Sequence, residues 1–362
     1  MGCFLFLVYV GIIPGMKFKK QPVWLTIVLG IILVAGVGYS FYYWWNLLRP
    51  ASGGVNLAVA PVKYINGLDG TAVSSTADES VQVVGVMIDN HPDARPESGV
   101  ASAKIVYEAP AEGGITRYLA IFDSKQMVDE VGPVRSARAY FLDWLQEYGD
   151  GLYMHSGGSP EALTAIKQRD IFDANEFFWG QYYWRNQSRS APHNLYTSSD
   201  DWQKIIAQHG STSSLFTIGK AWQYARLPVQ SVASTSSLTI TFNEYYEVTW
   251  QYDAANLNYI RSRNGRAEKD KDGAEVRAQN ILVQITSVRD IANDDKGRQA
   301  ITTVGSGDAI ILNKGAVTYG TWKKSSLSGR TRFYGVDGQE VVLVPGSTWV
   351  EVVPREVGVV AN

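Results

Sequence analysis

The feature that most limits what this chain can become is an uncharged apolar run from Val23 to Trp45, VWLTIVLGIILVAGVGYSFYYWW. At about 1.5 Å per residue, a helix of that length reaches across the roughly 30 Å hydrocarbon core of a bilayer. Lys17, Lys19 and Lys20 precede the run and Arg49 alone follows closely. The positive-inside rule then places residues 1–22 in the cytoplasm and everything after the run outside it. Tyr42, Tyr43, Trp44 and Trp45 stand where an interfacial aromatic belt belongs. A cleaved signal peptide would carry a shorter apolar stretch and end in small residues, which the tryptophan pair spoils. The expectation is a single-pass anchor over residues 23–45, holding the chain to the cytoplasmic membrane with its bulk extracytoplasmic. The one cysteine, Cys3, precedes the run instead of closing it, so no lipidated cysteine is read, and neither an intrachain disulfide nor a cysteine-based zinc site is available. Met16-Lys17-Phe18-Lys19-Lys20 reads as a more natural start than Met1.

Beyond the anchor the composition is that of a folded protein. The chain has 362 residues, 45% hydrophobic and 19% charged, enough for two ordinary domains. A net charge of −2 argues against general nucleic-acid binding, which needs a clearly basic surface. Residues 46–79 are rich in Ala, Gly, Ser and Thr and read as a spacer. Strand patterns at 81–89 and 116–124 then alternate with helical patterns at 139–149, 160–169 and 198–210, which predicts an α/β domain over residues 80–230. Ser159 and Pro160 are a cap and first-turn pair for the second of those helices. After Leu227 short alternating segments separated by turns such as Asn264-Gly265 and Asp337-Gly338 predict a smaller β-rich domain over 235–355. The expected fold class is α+β: a transmembrane helix, an α/β domain and a mostly-β domain.

Five stretches of the first domain could carry chemistry. In MIDNHPDARPESG a strand delivers Asp89, Asn90 and His91 to its end, and Arg95 follows in a proline-stiffened loop. In YEAPAEGGITRY, Glu108 and Glu112 could divide acid and base roles or neutralise arginines such as Arg117. Arg135 and Arg138 open the 139–149 helix, where cations face the positive end of the helix dipole, so they need a compensating carboxylate or an external anion. The stretch His155-Ser156-Gly157-Gly158-Ser159 joins a strand to a helix N-terminus, an arrangement that can present N–H groups to an anion. His193 and Asn194 lie in a polar loop with Arg185 and Arg189 near. The histidines at 91, 155 and 193 could meet over one ion, but no H-x-x-x-H pair exists, so neither a metal nor a cofactor is assigned. No G-x-S-x-G is present, which argues against a serine-hydrolase elbow. In the second domain GTWKKSSLSGRTRFY alternates aromatic and basic residues, as one packed and one solvated strand face would.

Together the blocks VGVMIDNHPDARPESG, VYEAPAEGGITRYLAIF, VGPVRSAR, HSGGSP, APHNLYTS, YDAANLNYIRSRNG and PGSTWVEVVP resemble the YerB-like family of bacterial envelope proteins, over roughly residues 64–355. The resemblance implies a two-part extracytoplasmic protein, commonly anchored as a lipoprotein, and implies no established reaction. The residues themselves point to recognition of an anionic envelope component (a polyprenyl phosphate, a phosphorylated glycopolymer or peptidoglycan). The expected cleft is lined by Asp89, Asn90, His91, Arg95, Arg117, Arg135, Arg138, Gly157, Gly158, Ser159, His193 and Asn194. An envelope transferase or hydrolase using Glu108, Glu112 or His155, and a protein-interaction scaffold, are the alternatives.

Overall fold

Strand β1 (Val83–Asp89) shows how the body of the molecule is layered. Every one of its residues is buried, which a strand achieves only when both faces of its sheet are covered. Val84, Val86 and Ile88 enter one hydrophobic cluster and Val83 and Met87 the other, as the two-residue period of a strand requires. The computed structural model describes residues 22–48, 61–209, 215–227 and 236–362.

β1 belongs to a mixed ten-stranded sheet. Its other members are β2 (Ile105–Pro110), β3 (Thr116–Asp123), β4 (Leu152–His155) and β5 (Asp173–Asn175) from the first half of the chain. The second half gives β9 (Asn280–Thr286), β10 (Gly305–Asn313), β11 (Ala316–Lys324), β12 (Arg332–Gly335) and β13 (Thr348–Pro354). The order is β12-β11-β10-β9-β13-β2-β3-β1-β4-β5, so β13 lies at the join, parallel to both β2 and β9. A six-stranded sheet built on β6 (Ser237–Asn243), β7 (Tyr246–Asp253), β8 (Asn258–Arg263) and β14 (Gly358–Ala361) covers one face through Leu238, Ile240, Val248 and Trp250. Helices α2 (Ala139–Leu145) and α3 (Pro160–Gln168) cover the other, with Phe141, Trp144, Leu145 and Ile166. A further helix, α4 (Ser199–His209), packs Trp202 and Ile205 on the first face. Where α2 crosses β1 there is no room for a side chain: a Cβ on Gly85 would lie 2.6 Å from Leu145 Cδ1.

Two expectations need correction. The first concerns the fold class, which is sheet-rich with few helices. No α-helix stands between β1, β2 and β3, which pair as β2-β3-β1, antiparallel at both contacts, and among the first-half strands only β4 and β5 join in parallel, β4 on β1 and β5 on β4. The second concerns the transmembrane helix. Residues Val23–Leu48 form α1, yet among the described residues no helix is long and apolar enough to cross a membrane. The second half of α1 carries Gly36, Gly38, Tyr39, Ser40, Tyr42 and Tyr43, which interrupt the predominantly apolar character that about 20 residues in a bilayer core demand. Residues 1–21, the rest of the expected cytoplasmic segment, lie outside the described residues, as do 49–60 of the expected spacer. From Ile65 the chain is already packed, with Ile65 and Leu68 buried in the core. Helix α1 belongs to one unit (Met1–Ala58), and Val59–Asn362 form a second.

Candidate functional site

The sheet register gathers the polar residues at one edge. Strands β1, β4 and β5 run parallel, so Asp89, His155 and Asn175 all end at the same side. Antiparallel β3 begins there, and its Arg117 sits opposite Asp89. Residues 131–138 are laced along this edge. Asp89 N donates to Pro133 O at 2.8 Å, Arg135 N to Met87 O at 2.9 Å and Ser156 N to Arg135 O at 3.1 Å. Gly132 is required in that lacing, since a Cβ there would lie 2.7 Å from Leu195 O.

Asp89, 1% exposed, is the hub. Its Oδ2 lies 2.7 Å from His193 Nδ1 and 3.2 Å from Arg135 Nε, while Oδ1 accepts from His91 N at 3.1 Å. A carboxylate on Nδ1 holds His193 in the tautomer whose Nε2 is free to accept, and that Nε2 has no hydrogen bond among the described residues. The His193 ring stacks on His91 with centroids 4.4 Å apart. Both terminal nitrogens of Arg135 are likewise without a partner among the described residues.

The other two arginines of this edge are paired with Glu112. Arg117 Nη2 lies 3.3 Å from Glu112 Oε2 and its Nη1 donates to Ser136 O at 2.9 Å. Arg138 meets Glu112 Oε1 and donates to Ala137 O at 2.6 Å. Burial alone would raise the Glu112 carboxyl, but Arg117 and Arg138 outweigh it and hold it below its ordinary range. Burial lowers the Arg135 guanidinium, with Arg117 adding to the effect against the opposing pull of Asp89. Three guanidinium groups therefore face two carboxylates. The expected tension at the start of α2 is met by Glu112 for Arg138 and by Asp89, incompletely, for Arg135.

The remaining sequence-selected residues are held differently. Asn90 donates to Thr116 Oγ1 at 2.6 Å and Tyr246 OH at 2.7 Å, and receives Arg95 on both its side-chain and backbone oxygens. Glu108 is fully buried away from Glu112, taken up by Thr116, Tyr246 and an ion pair with Arg261. His155 is also fully buried, between Gly157 O at 2.7 Å and Asp173 Oδ1 at 2.6 Å. In the glycine turn, Gly157 N donates to Asn175 Oδ1, Ser159 N to Ala137 O, and Ser159 Oγ accepts from Ala162 N. The turn thus fastens α3 to the sheet with most of its N–H groups engaged, Gly158 lying against Ala137 and Leu163. Asn194 ties its own loop together through Arg185, Asn186 and Arg189. Of the three histidines, two come together and His155 stands apart. With Asp93, His91 and His193 bring one ligand atom each within 4.8 Å of the others, the donor set that could hold a divalent ion of the N/O-binding type.

Sequence reasoning missed the partners. Arg261 is 0% exposed, and the pattern that marks it is parity: in Tyr259-Ile260-Arg261 it shares the inward face of the strand with Tyr259. Asp173 and Tyr246 carry no comparable local signal, because they act across a whole helix or between the two halves, whereas Asp93 and Glu268 lie near their partners His91 and Arg261 in sequence.

Comparison with known proteins agrees with this geometry. Residues 68–212 match the family described as "Protein of unknown function (DUF3048) N-terminal domain", and residues 238–350 match the corresponding C-terminal domain. The chain is 36% identical over 275 residues to a protein of Bacillus subtilis (strain 168) described as "Putative lipoprotein YerB", covering 75% of this chain and 81% of that one. It superposes on the crystal structure of the YerB protein from Bacillus subtilis with a TM-score of 0.70 at 31% identity, covering 82% of this chain and all of the other.

Proposed function

From the premise that this chain belongs to the YerB-like family, built of the two DUF3048 domains, we propose that it is a membrane-associated extracytoplasmic protein that binds an anionic component of the cell envelope. The description of the Bacillus subtilis relative as a lipoprotein supports the address. The binding reading is carried by one observation, the unpartnered guanidinium fork of Arg135. Every other arginine of that edge is engaged by carboxylate or carbonyl oxygens, whereas this fork presents two parallel donors of the kind that suit phosphate or carboxylate. A polyprenyl phosphate, a phosphorylated glycopolymer and the carboxylates of peptidoglycan all offer that chemistry. Asp89, Asn90, Arg95, Arg117, Arg138, Gly157, Gly158, Ser159 and Asn194 enter this reading as the frame around the two donors.

A second reading, an envelope transferase or hydrolase, rests on the Asp89–His193 pair at 2.7 Å, since a buried carboxylate that fixes the tautomer of an accessible imidazole makes it a general base. His193, not the sealed Glu108, then carries the acid/base role.

Thermal unfolding of the purified full chain with inorganic phosphate, a short-chain polyprenyl phosphate and peptidoglycan fragments tests the proposal. An anion at 100 times its Kd adds about 2.7 kcal/mol to the stability of the wild type. The Arg135→Ala protein should fold and show no such rise. No shift with any of the three, or equal shifts in both proteins, would refute it.

A further inference from the structure

Arg95 stands between two cavities at the join of the two halves, one of about 580 Å³ and one of about 370 Å³. Its place is fixed by neutral oxygens. Nε donates to Asn90 Oδ1 at 3.2 Å and Nη2 to Asn90 O at 2.9 Å, while Nη1 has no hydrogen bond among the described residues. Its guanidinium carbon lies 5.3 Å from the centre of the Tyr246 ring. A half-buried guanidinium tied only to an amide keeps its charge uncompensated. On the same loop Arg189 is likewise held by carbonyl oxygens, those of Ala94 and Pro96.

The larger cavity carries a surplus of positive charge. Arg95, Arg263, Arg266 and Lys269 line it against Glu97 and Glu268. Arg263 meets both carboxylates, and Glu268 is further shared with the buried Arg261. Arg95 and the exposed Arg266 and Lys269 are thus left with no carboxylate partner among the described residues. Burial lowers the Arg95 guanidinium and Arg263 lowers it further, against the pull of Tyr118, Tyr246 and Glu97.

The smaller cavity has another character. Its wall carries Tyr245, 76% exposed, with Tyr246, the turn at Gly113 and Gly114, and one carboxylate, Glu244. The turn bearing Tyr245 is held at both ends, Tyr245 N donating to Asn243 Oδ1 at 2.9 Å and Tyr245 O accepting from Asn264 Nδ2 at 2.9 Å. Asn243 Nδ2 donates to Gly114 O, which fastens that turn to the opposite wall. A Cβ on Gly113 would meet nothing within 4 Å, so the space above the glycines is open. A flat aromatic face beside a carboxylate acceptor suits the apolar C–H face of a sugar ring and its hydroxyl groups. The guanidinium and ammonium groups next door suit a phosphate.

We propose that the two cavities together take a sugar phosphate unit of an envelope glycopolymer, with its ring on Tyr245 and its phosphate on Arg95, Arg266 and Lys269. This rests on the reading of the edge beside Asp89 as an anion site and names the ligand class, since Asn90, which holds Arg95, directly follows Asp89. A lone anion leaves Tyr245 unused, and a neutral glycan leaves three cations unanswered.

The test is isothermal titration of the full chain with glucose 1-phosphate, methyl glucoside and inorganic phosphate. It is run on the wild type and on Arg135→Ala, in which the groove is read without the Arg135 fork. In both proteins glucose 1-phosphate should bind at least tenfold more tightly than either comparison probe. Tyr245→Ala should bring its affinity down to that of inorganic phosphate, and Arg266→Gln/Lys269→Gln should weaken it at least tenfold. All three side chains are exposed, so these variants keep the fold. No binding of glucose 1-phosphate, binding no tighter than that of inorganic phosphate, or an affinity unmoved by both variants would overturn the proposal. In that event, inorganic phosphate that binds the wild type and not Arg135→Ala leaves the Arg135 reading standing, whereas no binding of any probe to either protein overturns both.

Discussion

Replacing Arg261 by Met should destabilise the protein by about 3–5 kcal/mol, the cost of leaving buried charge without its partner. Arg261 is fully buried and joins the two halves of the sequence: its guanidinium meets Glu108 of β2 and Glu268 of the C-terminal segment, and bonds Tyr246 OH at 3.1 Å. It also lies 4.7 Å from the Trp349 ring centre, so Met keeps much of the packing and the loss is mainly electrostatic. Nearby Glu351 is also fully buried, and burial, reinforced by Glu108, raises its carboxyl well above the ordinary range. Without Arg261, Glu108 is left with the hydroxyls of Thr116 and Tyr246, and Arg263 remains on Glu97 and Glu268. At roughly 2 °C per kcal/mol for a chain of this size, the melting temperature should fall by about 6–10 °C. Urea unfolding gives the free energy directly, with the slope checking that the transition has not changed character. The double variant Arg261→Met/Glu108→Gln should recover part of the loss, since it removes one stranded charge. A cost under about 1 kcal/mol for the single variant, or a fully additive double variant, would refute the view that this pair clamps the halves together.

Asp270 gives a pH signature of stability. Its folded pKa of about 7 exceeds the ordinary 3.8, so its stabilising contribution is complete below about pH 4 and lost as pH rises to about 7; Asp270→Asn should flatten that slope and melt higher than wild type at pH 8. Arg135→Ala should cost about 1 kcal/mol or less in chemical denaturation, because His193 and the His91 N–H remain on Asp89, whereas Arg117→Ala, whose side chain is 4% exposed, should cost about 3 kcal/mol by leaving Glu112 with Arg138 alone. Gly132→Ala should cost about 2 kcal/mol or more by the same measurement, since the new Cβ meets backbone, not a side chain that can turn away.

Local elements were legible because their signals are local. The strand at 81–89 appears as Val83–Asp89, the helix expected at 160–169 as Pro160–Gln168 capped by Ser159, and the 198–210 helix as Ser199–His209. What sequence could not give is the pairing that crosses the chain. Nothing in Thr348–Pro354 announces that it enters the sheet between Ile105–Pro110 and Asn280–Thr286, because a strand buried on both faces shows no alternation and its partners lie far away in sequence. The same limit explains the acidic pair. Glu108 and Glu112 look alike in sequence, but the turn at Ala111 separates a strand residue, sealed against Arg261, from a half-buried one shared by two arginines. The sequence run at 23–45 shows the opposite failure, where a strong local pattern was read further than the described helix supports.

These pairings bear on the candidate site through rigidity. Glu108 and Arg261 fix one buried junction, and Glu147 fixes another with Lys324 at 2.7 Å and Arg330 at 3.1 Å, every one of them 5% exposed or less. Each junction ties a residue from the first half to one from the second. The sheet edge carrying Asp89, Arg117 and Arg135 is therefore part of a braced body, and its arginines cannot relax toward water without breaking contacts on several strands. In such a frame a cation whose fork is left unmatched is a feature the surrounding charges do not cancel: Arg117 and Arg138 divide Glu112, Asp89 reaches Arg135 only through Nε, and the terminal nitrogens face outward beside His193. That residual charge, held in place instead of being free to find a carboxylate of its own, is what makes the edge a place for an anion brought from outside.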